Sequence, residues 1–461
     1  MPAEIVTVAV LDGGTDTGHD DLEGAIWLNL SEEPFNGIDD DGNGYIDDGI
    51  GWNFLVDTAG NVLYDARYEA VWALALADSL DSLEMPLPTW LDEQALNRCQ
   101  IQRDELFAIH DENLELGYFA YVWNEDYVET KGRELRALEE LVFWKNELGI
   151  PKKELRFIKS LLKYDWCYQD LEDAGEEWMD WTDMQLNPSF SPRDSNEPES
   201  GYGSRYCASS DSDHGTHVSG IIAADRDNGI GIDGVASGAC SIMTVRVVPD
   251  GDELDKDVAN GIRYAVDNGA KVINMSFGKV VSPEVERVRA ALRYAADNDV
   301  LLVHAAGNDA FDTDVYRSYP NPGEDDVVEA CFISVGATSY ETGSNLLADF
   351  SNYGESSVDL FAPGDEILSL AHHGDTVWMA GTSMAAPVVA GVATLLRSYF
   401  PELTAPQVKE ILMETAHQPT GVFQIPGGSS ADKAPFSRFC RSGGIVDAFE
   451  AVKLAMARSQ D

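Results

Sequence analysis

Gly381-Thr382-Ser383-Met384-Ala385-Ala386-Pro387 opens the stretch on which the reading of this chain turns. From 384 to 396 the sequence carries no charge and is apolar on nearly every helical face, which predicts a buried helix. Ser383 then stands in its first turn, where backbone N–H groups lack intrahelical acceptors and the positive end of the helix dipole favours an anion. A serine there is either the N-cap of a core helix or the nucleophile of an acyl-transfer enzyme. Pro387 has no N–H to give the carbonyl of Ser383, so an irregular first turn is expected. Deciding between the two needs a base, an orienting acid and an oxyanion donor elsewhere in the chain.

The 461 residues hold 31 Lys and Arg against 81 Asp and Glu, a formal net charge of −50. Nucleic acid and anionic membrane surfaces would repel such a chain and are excluded as partners. The excess repels itself unless cations screen or bind it, which points to high salt or a calcium-rich exterior, with plain solubility as the alternative. The uncharged run 376–396 is long enough to cross a bilayer, but its glycines, threonines, serine and proline read as a buried soluble helix, and no membrane span is assigned. Cys99, Cys167, Cys207, Cys240, Cys331 and Cys440 form no C-x-x-C pair, so neither a zinc site nor a dense disulfide framework is read. A strand pattern begins within five residues of Met1, and no signal peptide is read.

Residues 5–11 are a β-branched apolar run typical of a central parallel strand, and Asp12-Gly13-Gly14 ends it. Asp12 is thus placed at a strand's carboxyl end, where open α/β sheets gather functional groups, although turn-forming is the simpler role. Next come Asp39, Asp41 and Asn43 at alternate positions, then Gly44, Tyr45 and Asp47, a pattern like an EF-hand calcium loop. The twelfth position is Ile50, not a bidentate glutamate, so the loop departs from a true EF-hand; an acidic surface loop is the alternative.

Residues 55–204 change character, with helical spacing at 67–83, 92–116, 133–148 and 152–164 and tryptophans at 72, 90, 123, 144, 166, 178 and 181. An α-helical insertion with its own small core is expected, or else an exposed aromatic face. Strand-like runs at 241–248, 271–275, 300–305, 331–335 and 358–361 then alternate with helical ones at 257–268, 283–298, 383–399, 405–415 and 445–458. The expected fold class is α/β, with a mostly parallel central sheet between helical layers and an α-helical insertion. The implied division is 1–54 and 205–461 for the main domain, with 55–204 inserted.

Two histidines in His214-Gly215-Thr216-His217-Val218-Ser219-Gly220 open a small-residue helix, and Ala305-Ala306-Gly307-Asn308 puts a carboxamide after a strand. Each alone has a plainer reading, structural histidines and a turn-forming asparagine. With Val6–Asp12 and the opening stretch they stand in the order Asp, His, Asn, Ser. In these four segments the chain resembles the subtilisin-like serine peptidases, the subtilases, over about residues 4–54 and 205–415; the triad order Asp, His, Ser is that of subtilisin.

The resemblance implies a serine endopeptidase. Ser383 would be the nucleophile, His214 the base, Asp12 its orienting acid and Asn308 an oxyanion donor with the Ser383 N–H. His217 is expected to be structural. Ser276, Phe277 and Gly278 on one side, with Ala306 and Gly307 on the other, would wall the primary specificity pocket as an open, largely apolar slot. The acidic run 249–253 would favour basic residues upstream of the cut. Asp21, Asn228, Ile230 and Ile232 match a second calcium site, so Ca2+ is the expected structural cofactor and no organic cofactor is. Protein or peptide substrates, a monomer and an extracellular or cell-envelope setting are expected. The family's usual pro-domain is not in this sequence, which points to a start upstream of Met1, with a mature or intracellular form as the alternative. The alternatives are a non-catalytic binding module on the same scaffold and a peptidase whose insertion is a docking or autoinhibitory adaptor.

Overall fold

Val8, Ala9, Val10 and Leu11 are at most 1% exposed, as expected of a strand covered on both faces. They form the middle of β1 (Val6–Asp12) in a seven-stranded sheet of the computed structural model, which describes residues 4–64, 66–83, 85–108, 185–189, 201–208 and 213–459. The other strands are β2 (Gly51–Asn53), β3 (Cys240–Arg246), β4 (Val272–Met275), β5 (Leu301–Ala305), β6 (Phe332–Thr338) and β7 (Leu360–Pro363). Their order is β2-β3-β1-β4-β5-β6-β7, and every pairing is parallel. β3 and β4 flank β1 on opposite sides, so the strand order reverses at β1 and its carboxyl end is the switch point of the sheet.

Helices α2 (Asp213–Ala223) and α6 (Thr382–Tyr399) pack together, as do α3 (Asp255–Asp267) and α4 (Val285–Asp297), and α4 also meets the short α5 (Asp326–Cys331). The register partners Leu11 and Val245 meet Gly261 of α3, where any Cβ would come within 3.1 Å of Val245 Cγ1. Met384, Ala385, Ala386, Val389, Ala390 and Leu396 of α6 are at most 1% exposed, which matches the charge-free sequence. Two elements differ from expectation. The run 376–396 is not one helix: β9 (Thr376–Met379) forms an antiparallel hairpin with β8 (Ile367–Leu370) before α6 begins. The short β2 exists through its pairing with β3, since three residues carry no period of their own.

Contacts divide the chain into two units, the first comprising Met1–Ala66, Pro88–Ala95 and Pro192–Asp461 and the second Arg67–Leu87 and Leu96–Ser191. In the second, α1 (Glu69–Ser82) buries Ala70 and Ala73 completely, and the Arg67 guanidinium lies 4.9 Å from the Trp72 ring centroid. The expected helices at 133–148 and 152–164 and the tryptophans at 123, 144, 166, 178 and 181 lie outside the described residues.

Candidate active site

Asp12 ends β1 and His214 opens α2. The imidazole Nδ1 lies 3.0 Å from both Asp12 Oδ1 and Oδ2. A Cβ at residue 215 would sit 2.0 Å from the Gly14 carbonyl oxygen and 3.0 Å from Asp12 Oδ1, so only glycine lets α2 approach the strand end this closely. The carboxylate is buried while the imidazole is 42% exposed, which leaves one ring edge open to a reacting group. Burial pulls the His214 pKa down, but the charge of Asp12 and its hydrogen bond outweigh it, and the net direction is up. His217 has a different role. It is fully buried, its Nε2 reaches the carbonyls of Ile367 (3.0 Å) and Val377 (3.2 Å), and it thereby ties the β8–β9 hairpin to α2.

At the start of α6 the N-cap is Gly381, with no side-chain cap of its own, so Ser383 does not take the N-cap role. The first N–H is instead accepted by Asn308, whose Oδ1 lies 2.8 Å from Thr382 N and 2.9 Å from Thr382 Oγ1. Thr382 Oγ1 in turn accepts from Gly307 N at 3.0 Å. Because a backbone N–H can only donate, the Asn308 atom facing it must be the oxygen, and the NH2 group is turned the other way. A methyl on Gly381 would lie 3.3 Å from Asn308 Nδ2 and 3.6 Å from Ser383 N, so both nitrogens border one position. Ser383, second in the helix, has no intrahelical acceptor for its N–H. Asn352 braces the turn from 44 residues away: its Nδ2 donates to Ala306 O (2.9 Å), and its Oδ1 accepts from Asp309 N (3.1 Å) and Phe311 N (2.9 Å).

The Ser383 hydroxyl donates to the Ser276 carbonyl at 3.0 Å, and the Ser276 hydroxyl donates to the Ser383 carbonyl at 2.8 Å. The second bond answers the irregularity expected from Pro387, since the carbonyl that proline leaves without a donor receives one from Ser276. Among the described residues, no hydrogen bond joins Ser383 to His214; the serine is in a rotamer turned toward β4. Backbone bonds of 3.0 Å in each direction between Lys279 and Tyr319 extend the wall that Ser276, Phe277 and Gly278 begin, with Ala306 and Gly307 on another side. Ala306 also lines a cavity of about 650 Å³, together with His304, Ser318, Asp314 and Arg317. The run 249–253 differs from expectation: Asp252 and Glu253 are 5% and 3% exposed, and burial first, against the nearby Lys279 charge, pushes the Glu253 carboxyl up to about 8. They are not a surface patch for basic residues.

Residues 4–433 match the family model described as the subtilase family. The chain belongs to the subtilase family. This subtilase is 42% identical over 210 residues to the cell wall-associated protease of Bacillus subtilis (strain 168), covering 45% of this chain and 22% of that one. It is 38% identical over 215 residues to the halolysin-like extracellular serine protease Nep of Natrialba magadii, covering 46% of this chain and 37% of the relative. With thermitase of Thermoactinomyces vulgaris it shares 38% over 224 residues, 48% of this chain and 74% of the relative. The matched part is thus well under two thirds of the first two of these relatives. A solved cold-adapted subtilisin-like serine proteinase shares 33% identity with a TM-score of 0.38, covering 48% of this subtilase and 72% of that chain.

The acidic loop brings together a set that only partly overlaps the expected one. Glu32, Asp39 and Asp41 each offer a carboxylate oxygen, all within 4.8 Å of one another. Glu32 lies seven residues before Asp39, outside the loop pattern, and its Oε1 also accepts from Asp40 N (2.9 Å) while its Oε2 accepts from Asp47 N (3.0 Å). Asp47 is engaged elsewhere, by the Arg205 guanidinium and by Asn36 N (3.0 Å) and Gly37 N (3.1 Å). Asn43 gives its amide to Asp41 and Asp48. The Tyr45 ring packs edge-on against Trp52, Phe54 and Tyr264. At the second expected site, Asp21 Oδ1 accepts from Asn228 Nδ2 (2.6 Å) and Oδ2 from Ile232 N (2.9 Å), while Ile230 N bonds to Asn228 Oδ1 (3.0 Å).

Proposed function

We propose that the chain is a serine endopeptidase that cuts protein substrates through Ser383, His214 and Asp12. In this reading Asp12 holds the Nδ1–H of His214 and stabilises the imidazolium. A turn about χ1 carries the Ser383 hydroxyl from the Ser276 carbonyl to Nε2, which takes its proton as the oxygen attacks the scissile carbonyl. The oxygen that becomes negative then lies at the point faced by Asn308 Nδ2 and Ser383 N, and His214 returns the proton to the leaving amine. The observation that carries the reading is that pair of donors, 3.3 Å and 3.6 Å from one position at Gly381. A helix cap would not need it. Incubation with an unstructured protein such as casein tests it: fragments are expected from the native chain and none from Ser383→Ala. Intact casein with the native protein would favour the binding-module alternative.

The hard oxygen donors of Glu32, Asp39 and Asp41 suit calcium, and in this reading they hold one ion that stiffens the loop. The relatives' names, extracellular for one and cell wall-associated for another, and the excess of acid support an extracellular or cell-envelope setting. A monomer acting on protein or peptide is the simplest assembly consistent with one site built from one chain.

A further inference from the structure

His304 stands on β5, directly before the Ala305-Ala306-Gly307 wall, and is 2% exposed. Its Nε2 is buried and has no hydrogen-bond partner among the described residues. The ring bonds to the backbone of Phe277, and with Nε2 unpartnered that bond belongs to Nδ1. A carbonyl acceptor keeps the ring proton on Nδ1, so Nε2 carries a lone pair. Burial pushes the imidazole down to about 4, and the ring is therefore neutral at ordinary pH.

The lone pair has an address. A methyl on Gly278 would lie 3.4 Å from His304 Nε2, 3.4 Å from Ser318 Oγ and 3.1 Å from Tyr319 O, so Nε2 borders the space beside the Gly278 backbone. Gly278 is two residues beyond Ser276, whose carbonyl touches the Ser383 hydroxyl. His304, Ala306 and Ser318 also line the cavity of about 650 Å³. A buried acceptor without a donor is unfavourable, and native structures rarely keep one without a use. The charges farther along the cavity come in both signs and are largely engaged: Asp359 by Lys409 and Arg441, Arg289 by Glu286. No single-sign field is left there to select a charged side chain.

Resting on the peptidase reading, we propose that His304 is a specificity-determining residue: it selects, immediately before the cleaved bond, a neutral side chain ending in an N–H or O–H donor, such as glutamine or tyrosine. A chain that satisfies Nε2 is favoured, and an apolar one of the same shape leaves it unpaired.

The test uses peptides identical except at that position, comparing glutamine with methionine and tyrosine with phenylalanine. The native enzyme is expected to show kcat/KM at least about tenfold higher for the donor-bearing member of each pair. His304→Leu is expected to bring both ratios close to one, with thermal melting reporting whether the variant folds. Native ratios near one, or ratios that His304→Leu leaves in place, overturn the proposal; if the variant does not fold, the native ratios alone decide it. Fluorophosphonate labelling of the native enzyme separates the two failures. Labelling with flat ratios removes only the role of His304, whereas no labelling and no cleavage removes the peptidase reading with it.

Discussion

Ser276 and Ser383 exchange hydrogen bonds, hydroxyl to carbonyl in both directions, at 2.8 and 3.0 Å. The pair couples the end of β4 to the first turn of α6 at the carbonyl that Pro387 cannot serve. Ser276 is 3% exposed and its oxygen also accepts from Asn274 Nδ2 at 2.9 Å, so water cannot readily replace it. Ser276→Ala leaves the Ser383 carbonyl without its donor and is expected to cost about 1–3 kcal/mol of stability. It should also lower kcat, because the turn that carries Ser383 loosens. An unchanged melting temperature with unchanged kcat would show that the exchange is incidental.

The pH dependence follows from the raised pKa of His214. Protonated imidazole cannot act as a base, so kcat/KM is expected to rise with pH through a midpoint above the ordinary histidine value of about 6.5. Asp12→Asn removes the raising influence and leaves burial, so the midpoint should move below that value while kcat falls by roughly 10⁴, as in other serine peptidases that lose this role. On the stability side, a raised folded-state pKa makes the Asp12–His214 pair stabilising below the unfolded value, and that contribution fades as pH climbs through the raised one. A rate profile whose midpoint ignores Asp12→Asn would contradict this assignment.

Two substitutions probe the donor pair. Asn308→Leu removes one donor and should reduce kcat by about 10²–10³ with little change in KM, the size known for the corresponding amide of subtilisin. Gly381→Ala keeps both donors but puts a methyl 3.3 Å from Asn308 Nδ2, where the oxyanion would sit. It should lower kcat by a comparable order, about 10² or more, on the same argument. Equal kcat for Gly381→Ala and the native chain would place the oxyanion elsewhere.

Calcium is expected to raise the melting temperature, and chelation to lower it. At a free concentration of roughly 100 times Kd the stabilisation is about 2.7 kcal/mol. Glu32→Gln should weaken the response more than Asp47→Asn, because Asp47 is already engaged by Arg205. Melting that does not change with calcium would leave the loop as an acidic surface turn.

The parts legible in the sequence were those governed by local pattern. A strand buried on both faces must be apolar throughout, which is why 5–11 and 300–305 read clearly, and the buried helix after Ser383 followed from its lack of charge. What escaped depends on partners remote in the chain. The β8–β9 hairpin carries the 64% exposed Trp378 and no alternation strong enough to separate it from the helix behind it. Asn352 braces the Asn308 turn, Glu32 joins Asp39 and Asp41, and Ser276 serves Ser383, each through contacts that no period encodes. Thr382 is the exception, since its place beside Ser383 in the opening stretch could have drawn attention to its hydroxyl. His304 was hidden because a histidine within an apolar strand reads as core until the cavity beside it is seen.

The central claim is that Ser383 is an activated nucleophile. Treating the folded native chain with a fluorophosphonate and mapping the adduct by peptide mass spectrometry tests it most directly. The account predicts a single modification, on Ser383, that is lost in His214→Ala and in Ser383→Ala. No adduct on the folded protein, or one that persists in Ser383→Ala, would contradict it.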